Sequence, residues 1–475
     1  MGVAQIDRPG VTGPILLRCS PKISVPSQFG RDPSRTHNQF SGEFLTQLCC
    51  QYDNPKVHFV QHHAGSVTAA TGQATRQTKE SNMSKIVCVE IHAFTFAVAD
   101  LGLAKTGAAG VGNMIYQRGG QLKSQRFAIR ISCDDGAQGE YVTHWVGTPS
   151  TLGQMQMLAP NLLGRDPEER ERIYDDLKRE VRAYDHMGHG PLDIALWDLA
   201  GKKHNLSVAR MLGGFRWRLP TYASTYHAQH EPGGLDSIEA FCDYAQACKE
   251  QGFTGFKIHG WHDGDARKEA RNVLAVRQQV GDEMFLMIDP ACQLRTWMDA
   301  LYVGRACDEA NYFWYEDPYR DSGVAVTGHK LLRERLKTPL LVSEHVRGLE
   351  QKANFLLGGG CDMIHADPEY DMGITGAIKI AHLCEALGLD VQMHACGPAH
   401  RAVVSAIRNT HFYEMALMGP GMPNLAPPVY TNGYSDQPED LGEDGCVPVP
   451  DGPGLGVSYD WDFIEANRTA HLVFA

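Results

Sequence analysis

From about residue 215 onward, short apolar runs alternate with longer amphipathic stretches. The runs are RLPTYAS ending near Ser224, GFKIHG around Lys257, FLMID at Asp289, YFWYED at Glu316, LLVSEH at Glu344, DMIHAD at Asp367, DVQMHA at His394 and HFYEMAL at Glu414. Each has the length and composition of a buried strand. Between them SIEAFCDYAQACKEQG, ARKEARNVLAVRQQVG and AIKIAHLCEALGLD carry apolar residues at helical spacing, and several close on a glycine suited to a C-cap. Strand and helix in alternation imply right-handed crossovers and a parallel sheet. Eight such strands predict a (β/α) barrel, in which the C-terminal strand ends converge on one mouth.

The residues at those ends are chemically loaded. In order they are Lys257 with His259, then Asp289, Glu316, Glu344, Asp367, His394 and Glu414. A lone acid after a strand is ordinarily a turn residue or a helix cap. Asp289, Glu316 and Glu344 close three successive strands, however, and an acid at the end of a buried strand is costly unless its charge is offset. Three together point to a shared cation. With no Cys or His among them the site is all oxygen, which favours a hard ion such as Mg2+.

The region before the barrel has another pattern. SKIVCVEIHAFTFAV and QRFAIRISCDDG read as strands, and PEERERIYDDLKREVRAY and GPLDIALWDLAGKKHNL as helices, giving an α+β unit from Lys85 to about Gly214. Two of its loops have the composition of lids over a barrel mouth: GLAKTGAAGVGN at 102–113, and YVTHWVGTPS at 141–150, which is expected to expose His144 and Trp145. The glycine run lacks both GxGxxG and GK[ST] and is no phosphate cradle. Residues 1–82 are polar, with Pro9, Pro14, Pro21 and Pro26 breaking any periodicity. They are expected to be a disordered leader or to precede the true start, with Met83 opening the functional chain.

Composition narrows the partners. A formal net charge of −12 over 475 residues argues against nucleic acid or an anionic membrane surface as the main partner. No apolar run approaches a membrane span. Thirteen cysteines without a CxxC pair suit the reduced thiols of a cytoplasmic protein.

Together these residues resemble the enolase superfamily, in its mandelate racemase-like subgroup. The resemblance covers residues 85–475 and rests on DIALWDLAGK at 193–202, RMLGG at 210–214, KIH at 257, the acids of MID, YED and VSE, and Asp367, His394 and Glu414 in that order. It implies a modified (β/α)7β barrel, residues 216–417, beneath an α+β capping domain built from 85–215 and 418–475. It also implies lid loops that close over substrate, and a homo-oligomer.

The chemistry follows from the same residues. A substrate carboxylate held on the ion is acidified at its α-carbon. Lys257 would add positive charge beside it, and a Glu414 that kept or shared a proton would donate to its other oxygen. His394 is the expected acid/base, with Asp367 fixing its tautomer. Two departures from the family pattern matter. His259 stands where relatives with a Lys-x-Lys motif have a second lysine, and Ala291 stands where many have an asparagine.

The reading favoured is an acid-sugar dehydratase that converts an aldonate or aldarate to a 2-keto-3-deoxy acid. A racemase or epimerase using bases on both faces is the alternative, and a non-catalytic sugar-acid binder a third. The polar lid residues His144, Trp145 and Thr148 suit a polyhydroxylated substrate.

Overall fold

The computed structural model describes residues 84–475 apart from 104–113, 230–231, 262, 321–324 and 423. The leader and most of the glycine-rich loop expected as a lid lie outside the described residues.

In chain order the strands are β1 (Ile86–Leu103), β2 (Met114–Cys133), β3 (Gln138–Val142), β4 (Arg218–Ala228), β5 (Gly255–Trp261), β6 (Phe285–Asp289), β7 (Trp314–Glu316), β8 (Leu340–Val342), β9 (Met363–Ala366), β10 (Asp390–Met393), β11 (Tyr413–Met418), β12 (Cys446–Pro448) and β13 (Arg468–Phe474). They form two sheets. An antiparallel one has the order β13-β1-β2-β3, so the last strand of the chain lies beside the first. Helix His189–His204 packs on it so closely that a Cβ at Gly139 would lie 2.2 Å from the Ala195 carbonyl oxygen, which requires glycine there. That helix ends on Asn205 in the left-handed conformation at φ 53°, with lysines and a histidine in its last turn complementing the helix dipole.

The second sheet is the barrel wall. Its order is β10-β9-β8-β7-β6-β5-β4-β11, every neighbouring pair parallel, with β12 added antiparallel to the start of β4. All eight strands read from the sequence are present, and helices separate them as the pattern requires. Sequence-local signals start those helices: Ser237 accepts the Ala240 N–H, Asp265 caps residues 267 and 268, and Thr296 with Asp299 forms a capping box. Between β10 and β11 side chains carry the connection. Gln392 Nε2 donates to the Phe412 carbonyl at 3.0 Å, and the Ala395 N–H donates to Glu414 Oε2 at 2.6 Å.

Period-two alternation sorts these strands into two environments. Ile258, Ile288, Tyr315, Val342 and Ile364 belong to the main core, whereas Tyr222, Met287, Trp314, Leu341, Met363 and Phe412 form a separate apolar cluster. Lys257 is in register with Met287, and Met287 with Trp314. These therefore share the inner face, and the separate cluster is the floor of the barrel. Two residues further along β6 and β7 the same face carries Asp289 and Glu316.

Sequence patterning missed β3, β12, β13 and the first half of β2. The β13 residues RTAHLVF are largely exposed on one side, and MIYQRGGQLKS of β2 forms a polar, half-exposed hairpin. Neither offers a core-facing stripe to read.

Candidate active site

Asp289, Glu316 and Glu344 each present a carboxylate oxygen, and these three atoms lie within 4.8 Å of one another. They come from the ends of three adjacent strands, and this adjacency brings them together. Glu316 is fully buried and gripped from three sides. Lys257 Nζ lies 3.0 and 3.1 Å from its two oxygens, Trp314 Nε1 donates to Oε2 at 2.9 Å, and His365 Nε2 donates to Oε1 at 2.8 Å. Burial would push this carboxyl's pKa up, but Lys257 and His365 outweigh it and hold the pKa well below the usual range. An acid that stays ionised when buried is what a cation site needs.

Lys257 is 1% exposed and also reaches Glu414 Oε1 at 2.9 Å. Burial disfavours its charge, but Glu316 and Glu414 overcome that and raise its pKa. Glu414, expected to donate if it kept or shared a proton, is placed as an acceptor. One oxygen faces Lys257 and the other accepts the Ala395 N–H, and its pKa is lowered, burial being outweighed by Lys257 and His394.

Beyond the triad, His394 Nδ1 donates to Asp367 Oδ2 at 2.7 Å, leaving Nε2 directed at Glu344 Oε1, 3.4 Å away. Burial lowers the pKa of His394, but Glu344, the Asp367 hydrogen bond and Glu414 more than reverse this and carry it to about 10 in the metal-free site. Asp367 is itself anchored: Oδ1 accepts from His400 Nε2 at 3.2 Å and from the Glu369 N–H at 2.7 Å. Its pKa is depressed, burial being overcome first by His400 and then by the hydrogen bond from His394.

His259 lies on β5, on the other side of the triad in strand order. Its Nδ1–H donates to the Thr225 carbonyl at 2.6 Å, which fixes the tautomer and turns Nε2 toward Asp289 Oδ2 at 3.2 Å. Ala291 adopts a left-handed backbone, φ 48°, and donates its N–H to Asp289 Oδ1 at 2.6 Å.

The loop after β3 differs from expectation. His144 is 1% exposed, packed among Tyr430, Cys396 and Asp436, and burial pushes its pKa down to about 3. It supports the wall from behind. Trp145 is half-buried, its ring centroid 6.5 Å from that of His394. The loop is held by Glu369, which accepts the backbone N–H groups of His144, Trp145 and Val146 at 2.5, 2.9 and 2.9 Å and the Tyr141 hydroxyl at 2.5 Å.

Glu369, His365, Trp314, His400 and Tyr370, whose ring stacks 5.4 Å from that of His394, were not found by sequence reasoning. The signal for His365 is its position two residues before Asp367 on one strand, hence on the same face. Trp314 carries the same signal, two residues before Glu316 on β7, and the others follow only from tertiary packing.

A family model for the enolase C-terminal domain-like fold matches residues 240–463, and one for the mandelate racemase / muconate lactonizing enzyme N-terminal domain matches 117–213. The chain is similar to L-talarate/galactarate dehydratase of Salmonella typhimurium, 29% identical over 248 residues, a match spanning 51% of this chain and 60% of that protein. It is also similar to D-galactarolactone cycloisomerase of Agrobacterium fabrum, 27% identical over 358 residues, or 72% of this chain and 90% of that one. Among solved structures, D-glucarate dehydratase from Agrobacterium tumefaciens complexed with magnesium aligns at a TM-score of 0.71 and 25% identity, covering 82% of this chain and 100% of that one. With both of its characteristic domains matched, the chain belongs to the mandelate racemase-like branch of the enolase superfamily.

Proposed function

We propose that the protein is a Mg2+-dependent dehydratase of a sugar acid, an aldonate or aldarate, acting as a hydro-lyase. The observation that carries this reading is the three-carboxylate cluster with the Asp367–His394 pair directed at its edge. The donor set fits the ion: three carboxylate oxygens within 4.8 Å, with the rest of the coordination sphere left to substrate oxygens and water. When bound, Mg2+ draws electron density from the substrate carboxylate and acidifies the adjacent carbon.

The protein's own groups do the rest. Lys257 keeps Glu316 ionised and in place. His394 Nε2 takes the α-proton in its neutral form, while Asp367 holds the ring and stabilises the imidazolium. The same imidazolium then gives that proton to the departing β-hydroxyl, which leaves as water. The resulting enol gains a proton at its β-carbon, loses its hydroxyl proton and becomes the 2-keto-3-deoxy acid. Trp145 and Tyr370 flank His394 and shield it from bulk water.

The position of His259 supports an isomerase as a second reading, because its Nε2 faces the triad from the side opposite His394. Incubation with Mg2+ and a panel of aldonic and aldaric acids in D2O separates the two. Loss of water with one deuteron at the β-carbon is the expected result; α-deuteration with inversion and no loss of water would establish the isomerase, α-deuteration alone would show proton abstraction only, and neither across the panel would overturn catalysis on sugar acids.

A further inference from the structure

Immediately behind the triad lies a second set of metal-ligating atoms. Cys292, Asp317 and His345 bring a sulfur, a carboxylate oxygen and a ring nitrogen within 4.8 Å of one another. Each follows a triad acid by a short step along the chain: Cys292 three residues after Asp289, Asp317 one after Glu316, His345 one after Glu344. Asp317 lies just past the end of β7 with a left-handed backbone, φ 28°, so its side chain departs from the strand direction that Glu316 follows.

Asp317 needs a partner. It is fully buried, and neither carboxylate oxygen completes a well-formed hydrogen bond; the Ser343 N–H stands near without closing one. His345 Nε2 is 3.8 Å from Oδ2. A nitrogen and an oxygen on one tetrahedral ion, with bonds of about 2.0 to 2.1 Å, lie about 3.3 to 3.4 Å apart, so binding would draw this pair together by about half an ångström.

We propose that Cys292, Asp317 and His345 form a second cation site, selective for a borderline-soft ion of the Zn2+ class, distinct from the all-oxygen site for Mg2+. Its ion neutralises Asp317 and ties together the three segments that follow the triad acids.

Sulfur supplies the test, because the triad has none. Co2+ added to the Mg2+-saturated protein is expected to produce a thiolate-to-cobalt charge-transfer band, lost in Cys292→Ser and kept in Cys396→Ser, whose thiol lies in the only other Cys/His/Asp cluster among the described residues. His345→Ala should weaken Zn2+ binding by at least about tenfold. A second measurement needs no variant: Zn2+ should protect Cys292 from iodoacetamide, read by peptide mass spectrometry. Absence of the band from the unmodified protein, its persistence in Cys292→Ser, or alkylation of Cys292 at the same rate with and without Zn2+ would overturn the site.

Discussion

The floor and the mouth of the barrel are built on the same strands, often two residues apart, yet they obey opposite rules. On β6 the inner face changes from Met287 to Asp289, and on β7 from Trp314 to Glu316. Below, six apolar side chains exclude water and gain stability from burial alone. Above, carboxylates are crowded together, and their charge is favoured only through Lys257, His365 and His394. The floor makes the protein stable, and the mouth spends some of that stability on chemistry.

The sharpest test of this division is at His394. His394→Asn should lower turnover by about two to four orders of magnitude while leaving the melting temperature of the Mg2+-loaded protein little changed. Full activity would show that the base has been misassigned. The opposite result is expected at the floor. Met363→Ala should cost about 2 to 5 kcal/mol in urea unfolding, with kcat per folded molecule retained. Trp314 belongs to both regions, since its ring packs in the floor and its Nε1 holds Glu316. Trp314→Phe should therefore lose about 1 to 3 kcal/mol and weaken Mg2+ affinity as well, a double effect that Met363→Ala would not show.

pH separates the regions more gently. In the metal-free protein the pKa of His394 is raised to about 10 from its ordinary 6.5. A group whose pKa is raised on folding gives its full stabilisation below the unfolded value and loses it as pH climbs through the folded one. Chemical denaturation should thus show the metal-free protein weakening between about pH 6.5 and 10, and His394→Asn should lack this slope. The smallest effect is expected at Glu369. Glu369→Gln keeps the shape of the side chain but removes the charge that gathers three N–H groups, and should raise KM for the sugar acid by about tenfold or less with a smaller change in kcat.

The barrel was legible because its signal is periodic. Each strand is a short apolar run closed by an ionisable residue, and burial on both faces makes such runs stand out. The triad, the Asp367–His394 pair and Lys257 could be named for the same reason, since strand-end position alone brings them to one mouth. What could not be read is what surrounds them. The grip of His365 on Glu316, and of His400 on Asp367, joins segments far apart in the chain. His144 read as a polar lid residue because nothing local announces that Tyr430, Cys396 and Asp436 will enclose it. Whether Glu414 would keep a proton was left conditional, because its closeness to Lys257 is a tertiary fact.

Glu369 has a wider consequence. Its carboxylate fastens the loop that carries Trp145, and its own backbone N–H fastens Asp367, which orients His394. One residue thus joins the loop of Trp145 to His394, the wall and the base of the proposed reaction. Grafting a relative's capping segment onto this barrel to change its substrate would succeed only if the incoming loop presented its N–H groups to that carboxylate, so specificity and reactivity are inherited here as a single part.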